Sequence, residues 1–335
     1  MTMAAINLGI KGIGWHLPAA LRSSQELSER FGFDLEFLER KVGVKSRHLS
    51  GPDESVSDMA VAAARHLFQQ HPDFKPEELE LLVVCTQTPD YQIPHTAALV
   101  QAALELPSLA AFDINLACSG YVYGLSVCQG LMAAQGWRNG LLITSEAYSK
   151  ILRDGDRDTM ALFGDGATAT WLGPEPLARP LCFTFGTDGR GYDKLIVREG
   201  GSRKPWSTLV HGPGSPAPQA WGKLFMDGRG IFDFAMRKVP EDVKRCLRLN
   251  DLTLDDVDFL VFHQASRYIL EWLGKRLQVP PEKIFYAMEN TGNTVSSSIP
   301  LALSQLRAVQ DLAGKKVLIC GFGGGLSWAC TVLQF

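Results

Sequence analysis

A chain of 335 residues with 46% hydrophobic and 21% charged content can bury one large core or two fused ones, and is too apolar to be disordered. Its 33 basic and 36 acidic residues leave a formal net charge of -3 without long runs of one sign, which excludes the electrostatic footprint of a nucleic-acid or membrane-surface binder. Seven cysteines, an odd number without paired Cys-x-x-Cys spacing, argue against a disulfide framework or a metal site and fit a reducing, cytoplasmic setting.

The opening MTMAAINLGIKGIGWHLP reads as a first strand and a Pro turn, lacking the basic n-region of a signal peptide. No run reaches the roughly 18 apolar residues that span a bilayer. Helical spacing predicts one helix over 24–42, ending near Gly43, and a second over 56–70. LLVVCTQ (81–87) is a continuous apolar run of the kind buried on both faces of a parallel sheet, and a helix is expected over 95–103. The stretch AFDINLACSGYVYGLSVCQGLMAAQG (111–136) begins like a strand and continues at helical spacing, which sets Cys118 at a strand-to-helix turn. A strand over 140–147, a polar loop over 153–158, and a Gly turn with a strand over 163–173 complete this half.

Most cysteines pack as small hydrophobes, and six of the seven lie inside apolar strand-like or helical patterns. Only Cys118 has a small-residue elbow, Ala117, Ser119 and Gly120, with a helix starting behind it. There the first-turn amides and the helix dipole are expected to lower the thiol pKa and suit the sulfur to nucleophilic attack.

The second part of the chain echoes the first. LLVVCTQ returns as FLVFHQ (259–264), AFDINLACSG as IFYAMENTGN (284–293) and RNGLLITSEA as GKKVLICGFG (314–323). The offset of half the chain predicts a duplicated α/β unit, mixed and mainly parallel, with halves at 1–174 and 175–335. Ligands of open α/β sheets bind beyond the carboxyl ends of strands, where Cys118, His263 and Asn293 all fall. The irregular stretch 200–222, rich in Gly, Pro and Trp, is either a wall of the ligand channel or a surface excursion.

A histidine at a strand end is commonly a core residue, and an asparagine in a turn is common because it tolerates left-handed geometry. Their conjunction with Cys118 points further. Cys118 can attack an acyl thioester, with the oxyanion held by its own amide and one from GFGGG (321–325). His263, as an Nε2–H donor, and Asn293 can then hold the enolate formed when a malonyl group loses carbon dioxide. Neither GFGGG nor FGDGATA has dinucleotide or P-loop spacing, so both read as tight turns.

At these residues the sequence resembles the 3-oxoacyl-[acyl-carrier-protein] synthase III family of the thiolase superfamily. The matching pieces are DINLACSG, DRDTMALFGDGA, HQAS, ENTGNTVSSSIP and GFGGGLSW, in the family's order along nearly the whole chain. The resemblance implies the thiolase-like five-layered αβαβα fold built from two halves, a homodimer, and no metal or redox cofactor. Acyl-CoA and a malonyl group on acyl carrier protein would be the substrates of a decarboxylating condensation. It assigns Cys118 as acyl acceptor, His263 and Asn293 as the decarboxylation pair, the amides of Cys118 and Gly324 as oxyanion hole, and Phe322 as a wall beside them. Coenzyme A and carrier contacts map to Phe37, Lys41, Arg157 and Arg267, with lysine at Lys41 where the family has arginine. The run after His263, Gln264 to Tyr268, departs from the family's pattern, so the carrier-docking arginine is displaced. Ile93 stands where acetyl-preferring members carry a phenylalanine that reaches into the partner's acyl pocket, which predicts a pocket accepting more than acetyl.

The nearest alternative is a related acyltransferase or condensing enzyme that passes the acyl group to a non-carrier nucleophile in a specialised pathway. A thiolase would need a second cysteine inside GFGGG, a plant-type polyketide synthase would carry Pro at Gly324, and a cysteine hydrolase would need a group orienting a nearby His as base. A non-catalytic partner subunit would have lost the nucleophile.

Overall fold

The computed structural model describes residues 8–205 and 222–335. Most of the stretch proposed as a channel wall, 206–221, lies outside the described residues, as do 1–7. The chain starts with β1 (Leu8–His16) and β2 (Ala20–Ser23), followed by α1 (Ser24–Phe31) and β3 (Ser46–Leu49), which pairs back on β2. Next come α2 (Val56–Gln70), β4 (Leu81–Cys85), α3 (Thr96–Ala103), β5 (Ala110–Ile114), α4 (Gly120–Gln135), β6 (Gly140–Glu146), the single turn α5 (Arg157–Met160) and β7 (Gly166–Pro174). Beyond it lie β8 (Arg179–Pro180), β9 (Thr184–Thr187), β10 (Leu195–Val197), β11 (Leu224–Met226) and α6 (Gly228–Leu249). The chain closes with β12 (Phe259–Phe262), α7 (Arg267–Leu277), α8 (Ser298–Val309), β13 (Lys316–Gly323) and β14 (Ser327–Gln334).

Two five-stranded sheets carry the fold, one ordered β1-β7-β6-β4-β5 and one built on β12-β13-β14 with β8 and β9 both on β14. Between them lie α4 and α8, which touch both. α4 buries Tyr121, Val122, Leu125, Cys128 and Met132 in that layer, while Val127, Gly130 and the last turn from Ala133 to Gln135 reach solvent. α8 points Ile299, Ala302, Leu303 and Leu306 into the same layer, at the i, i+3, i+4, i+7 spacing of one helix face. α2 and α3 cover the outer face of the first sheet, α6 and α7 that of the second, giving five layers.

The duplication is visible strand by strand. β4 runs parallel to β6, which is antiparallel to β7, just as β12 runs parallel to β13, which is antiparallel to β14. β5 pairs in parallel with β4, but its sequence echo at Ile284 makes only one parallel bridge, to Leu260, rather than a strand. Both sheets are mixed, with more antiparallel pairing among the described strands than the strand–helix alternation implied. The reason is connection length: β14 follows β13 through a three-residue turn, and a parallel return needs a crossover of a dozen or more residues.

Residues 24–42, expected as one helix, form two. α1 stops where Gly32 takes φ +69°, the left-handed conformation that ends many helices. Asp34 Oδ1 then accepts the Glu36 amide at 3.0 Å and starts a second, wider turn over Phe37–Val42, closed by Gly43 N–H on Leu38 O at 3.0 Å. The break sets Phe37 at the mouth of the cavity described next. No helix among the described residues is long and apolar enough to cross a membrane.

Candidate active site

A cavity of about 410 Å³ is lined by Cys118, His263, Asn293, Phe322 and Gly323 at its inner end and by Phe37, Arg157 and Arg229 among the residues nearer solvent. The fold brings the three side chains together by a repeated device. Cys118 follows β5 and precedes α4, Asn293 precedes α8 in the equivalent place, and His263 is the first residue after β12.

Cys118 is buried in a turn in which Gly120 N–H bonds Ala117 O at 2.8 Å. Its environment corrects the expected low pKa. Burial, with the charge of Glu146 adding to it, pushes the thiol above its usual value, and the amides of Cys118 and Gly324 pull it only part of the way back. In so dry a site, desolvation outweighs the start of one helix. Those two amides nonetheless act on the sulfur, and so stand beside the place that an acyl carbon bonded to it would take.

The approach of the glycine run is close. A Cβ at Gly323 would stand 2.8 Å from Cys118 Sγ and 2.9 Å from its Cβ. Gly323→Ala is therefore expected to slow acyl uptake about 100-fold, the cost of displacing a reacting atom by about an ångström, without unfolding the protein. The check is the rate of mass gain from an acyl-CoA, read beside a thermal melt.

Asn293 is held from both sides of the duplication. Its N–H bonds Leu162 O at 2.9 Å and its C=O accepts Gly164 N–H at 3.1 Å, a parallel bridge to the first half. Gly164 is needed for that approach, because a Cβ there would lie 2.2 Å from Thr291 O. Val295 N–H bonds Asn293 Oδ1 at 2.8 Å. An N–H can only donate, so the carbonyl end of the amide faces Val295 and Nδ2 is turned to His263 Nε2, 3.3 Å away. Val295 adopts φ +55°, a left-handed conformation that a β-branched residue takes only under strain, and it does so where it orients this amide.

His263 is buried, with its edge against Phe322 at 5.6 Å between ring centres and Nδ1 2.7 Å from Ser298 Oγ. Burial holds its pKa down to about 3, so the imidazole is neutral at ordinary pH. The Ser298 hydroxyl donates to Val295 O at 2.9 Å, which leaves Nδ1–H to donate to Ser298 Oγ and Nε2 to accept from Asn293 Nδ2. When the hydroxyl turns to Nδ1 instead, the other tautomer forms and Nε2 carries the proton. Nε2–H and Asn293 Nδ2–H then converge and cannot satisfy one another. One carbonyl oxygen placed between them satisfies both.

The remaining sequence candidates are spread over the mouth and beyond. Arg157 lies over the Phe37 ring at 5.4 Å, and both line the cavity. Lys41 stands 5.5 Å from the ring of Tyr268, itself a lining residue. Arg267 turns away, pairing with Glu289 at 3.6 Å over Tyr286, and Ile93 lies outside the cavity, 89% exposed. The sequence reading missed Arg229, Phe232, Leu195 and Met226. Arg229 carried a usable signal, since a cation in the first turn of a helix opposes the dipole and suggests an anion to bind. Leu195 and Met226 carried none, because they meet only through the β10–β11 pairing across a long intervening stretch.

Known proteins resemble the chain along nearly its whole length. Residues 112–189 match a family described as 3-oxoacyl-[acyl-carrier-protein (ACP)] synthase III, and 247–335 match its C-terminal part. A β-ketoacyl-[acyl-carrier-protein] synthase III of Streptococcus pyogenes (strain Manfredo) is 36% identical over 330 residues, 97% of this chain and 98% of that one. Among solved structures, a 3-oxoacyl-(acyl-carrier-protein) synthase III superposes with TM-score 0.92 at 37% identity, covering 98% of this chain and 100% of the other. The Thermus thermophilus β-ketoacyl synthase III gives 0.87 at 32% over 98% and 99%, and the priming β-ketosynthase of a polyketide pathway 0.89 at 30% over 99% and 97%.

Proposed function

The chain belongs to the 3-oxoacyl-[acyl-carrier-protein] synthase III family, and we propose that it condenses an acyl group, taken from coenzyme A onto Cys118, with the malonyl unit of an acyl carrier protein. One observation carries this reading: a thiol flanked by two amides shares one small cavity with a buried imidazole and amide whose Nε2 and Nδ2 face each other at 3.3 Å.

In the first step the Cys118 sulfur attacks the thioester carbonyl and the oxyanion takes the amides of Cys118 and Gly324. Because the thiol is raised, its proton leaves as the C–S bond forms and ends on the departing coenzyme A sulfur. In the second, the malonyl C–C bond breaks and releases carbon dioxide. The electron pair stays on the thioester as an enolate held by His263 Nε2–H and Asn293 Nδ2–H. The enolate carbon attacks the acyl-Cys carbonyl, the same two amides take the new oxyanion, and collapse expels the Cys118 thiolate with 3-oxoacyl carrier as product. A proton from solvent restores the thiol. These side chains and the two substrates suffice, with no metal or redox cofactor.

Arg157, Arg229 and Lys41 supply cations for the nucleotide phosphates, and Phe37 an aromatic face for the base. Beside the mouth, a groove of about 900 Å³ between α6 and α7 carries Arg237, Lys244, Lys275 and Arg276 with Asp233 and Glu241, an excess of positive charge that suits an anionic carrier. Tyr91 and Ile93 form an uncovered apolar tip, 60% and 89% exposed, as a loop that enters a second copy's acyl pocket would. We therefore take the protein to be a homodimer. Seven unpaired thiols fit the reducing cytoplasm.

The test is intact-protein mass spectrometry after incubation with acetyl-CoA and with longer and branched acyl-CoAs, followed by malonyl carrier. Acyl mass should appear on the protein and discharge as 3-oxoacyl carrier with carbon dioxide. Because Ile93 is smaller than a phenylalanine, more than the acetyl group should load. Loading by acetyl-CoA alone would refute the pocket size, and transfer to a non-carrier acceptor without carbon dioxide release would refute the reaction.

A further inference from the structure

Ser119 stands at the N-cap of α4, the place where a serine hydroxyl ordinarily bonds an amide of its own first turn. It makes no such bond. Its Oγ lies instead 2.7 Å from the Oγ of Ser327, which starts β14 208 residues further on, and both residues are buried. Ser327 Oγ in turn donates to the Gly324 carbonyl at 2.9 Å. The two halves of the chain lie close around this link. A Cβ at Gly321 would stand 2.6 Å from Cys118 O and 2.7 Å from Ser119 Cα, and the end of β13 leaves no more room at Gly323.

The direction of the two bonds follows from the group that can only accept. Gly324 O is a carbonyl, so Ser327 gives its one proton there and takes the Ser119 proton on a lone pair. The reverse order would strand a buried carbonyl and a buried hydroxyl proton, because Ser119 Oγ has no other acceptor among the described residues. What the link secures is the turn from Gly324 to Leu326 between β13 and β14. Leu326 is fixed by exchanging main-chain bonds with Asp188, at 2.9 and 3.2 Å. Gly324 and Gly325 have no side chains to pack, and Gly325 takes φ +132°, so the backbone there turns freely unless something outside holds it. The amide and carbonyl of Gly324 share one α-carbon. Fixing the carbonyl therefore restrains the amide that acts on the Cys118 sulfur.

We propose that Ser119 and Ser327 are positioning residues: their hydroxyls form a directed link from the nucleophile's turn to the Gly324 carbonyl and hold the Gly324 amide in place for the oxyanion. The kinetic half of this role rests on the acyl-transfer reading. In Ser327→Ala the saturating rate of acyl loading should fall about tenfold, a part of the roughly 10² to 10³-fold that losing an oxyanion donor outright costs, with the half-saturating acyl-CoA concentration unchanged. Carbon dioxide release from malonyl carrier should keep its wild-type rate, since His263 and Asn293 are positioned by other bonds. Ser327→Thr keeps the hydroxyl and should restore loading. Ser119→Ala should slow loading by about threefold, and the double alanine variant should be no slower than Ser327→Ala, because both side chains act through one bond to Gly324. Wild-type loading in Ser327→Ala, a Thr variant no faster than the Ala variant, losses that multiply in the double variant, or an equal fall in carbon dioxide release would each overturn the proposal. Should Ser327→Ala fail to fold, wild-type loading in Ser119→Ala would overturn it. Alkylation of Cys118 by iodoacetamide, followed by peptide mass spectrometry, puts the same question without an acyl group. It should slow about threefold in Ser327→Ala, or in Ser119→Ala if the former does not fold, since an amide that steadies the thiolate has been loosened. A wild type that loads nothing would overturn the acyl-transfer reading, and unchanged or faster alkylation would still overturn the positioning role.

Discussion

Cys118→Ala takes up no acyl group from any acyl-CoA, and condensation falls at least about 10⁴-fold, the scale on which covalent catalysis collapses when its nucleophile is deleted. The protein should stay folded, because the change removes one sulfur from an already accessible cavity rather than from the packed layer of α4. It should also still release carbon dioxide from a malonyl carrier. His263 and Asn293 are positioned by Ser298 and Val295, and their positioning bonds do not pass through the sulfur. Decarboxylation without condensation is thus the expected signature, read as labelled carbon dioxide and acetyl carrier in place of a 3-oxoacyl product. Loss of both reactions in a folded variant would mean that the thiol also holds the malonyl group, and the division of roles would fail.

Cys118, His263 and Asn293 could be singled out from sequence because duplication is a strong constraint. Each echoed segment, aligned on its counterpart, puts the residue of interest at the same end of a sheet, and the structure sets all three in one cavity. Local chemistry that competes with periodicity was harder to see. The apolar pattern over 24–42 runs straight through Gly32, although the left-handed glycine and the Asp34 cap divide it and thereby deliver Phe37 to the mouth. The IFYAMENTGN segment keeps the hydrophobic content of a strand yet makes two isolated bridges instead, Ile284 with Leu260 and Asn293 with Phe163, its far end being drawn to the first half. The thiol pKa was misjudged for a different reason. Helix dipole and small neighbours can be read from sequence, whereas desolvation depends on what the second half of the chain lays over Cys118. Arg267 shows the same limit from the other side, since its charge is spent on Glu289, a partner more than twenty residues away.

His263→Ala and Asn293→Ala should each load an acyl group from coenzyme A at close to the wild-type rate and lose condensation by about 10² to 10³-fold, the usual effect of deleting one donor from a preorganised anion site. The asymmetry follows from which charge each step creates. Acyl uptake builds its oxyanion at the amides of Cys118 and Gly324, which neither substitution touches. Decarboxylation builds an enolate between the two donors, and removing either leaves it half satisfied in a dry cavity where water cannot substitute. Asn293→Asp should be worse than alanine, because Val295 N–H would hold one carboxylate oxygen and turn the other, a negative charge, toward the forming enolate. The pH dependence carries a further check. Since burial holds His263 to about 3, the neutral form persists throughout the range in which an ordinary histidine titrates, and condensation by acyl-loaded wild type should show no inflection near pH 6.5. An inflection there that disappears in His263→Ala would show that the imidazole acts as a proton-carrying acid or base, and the two-donor description of the enolate site would have to be replaced.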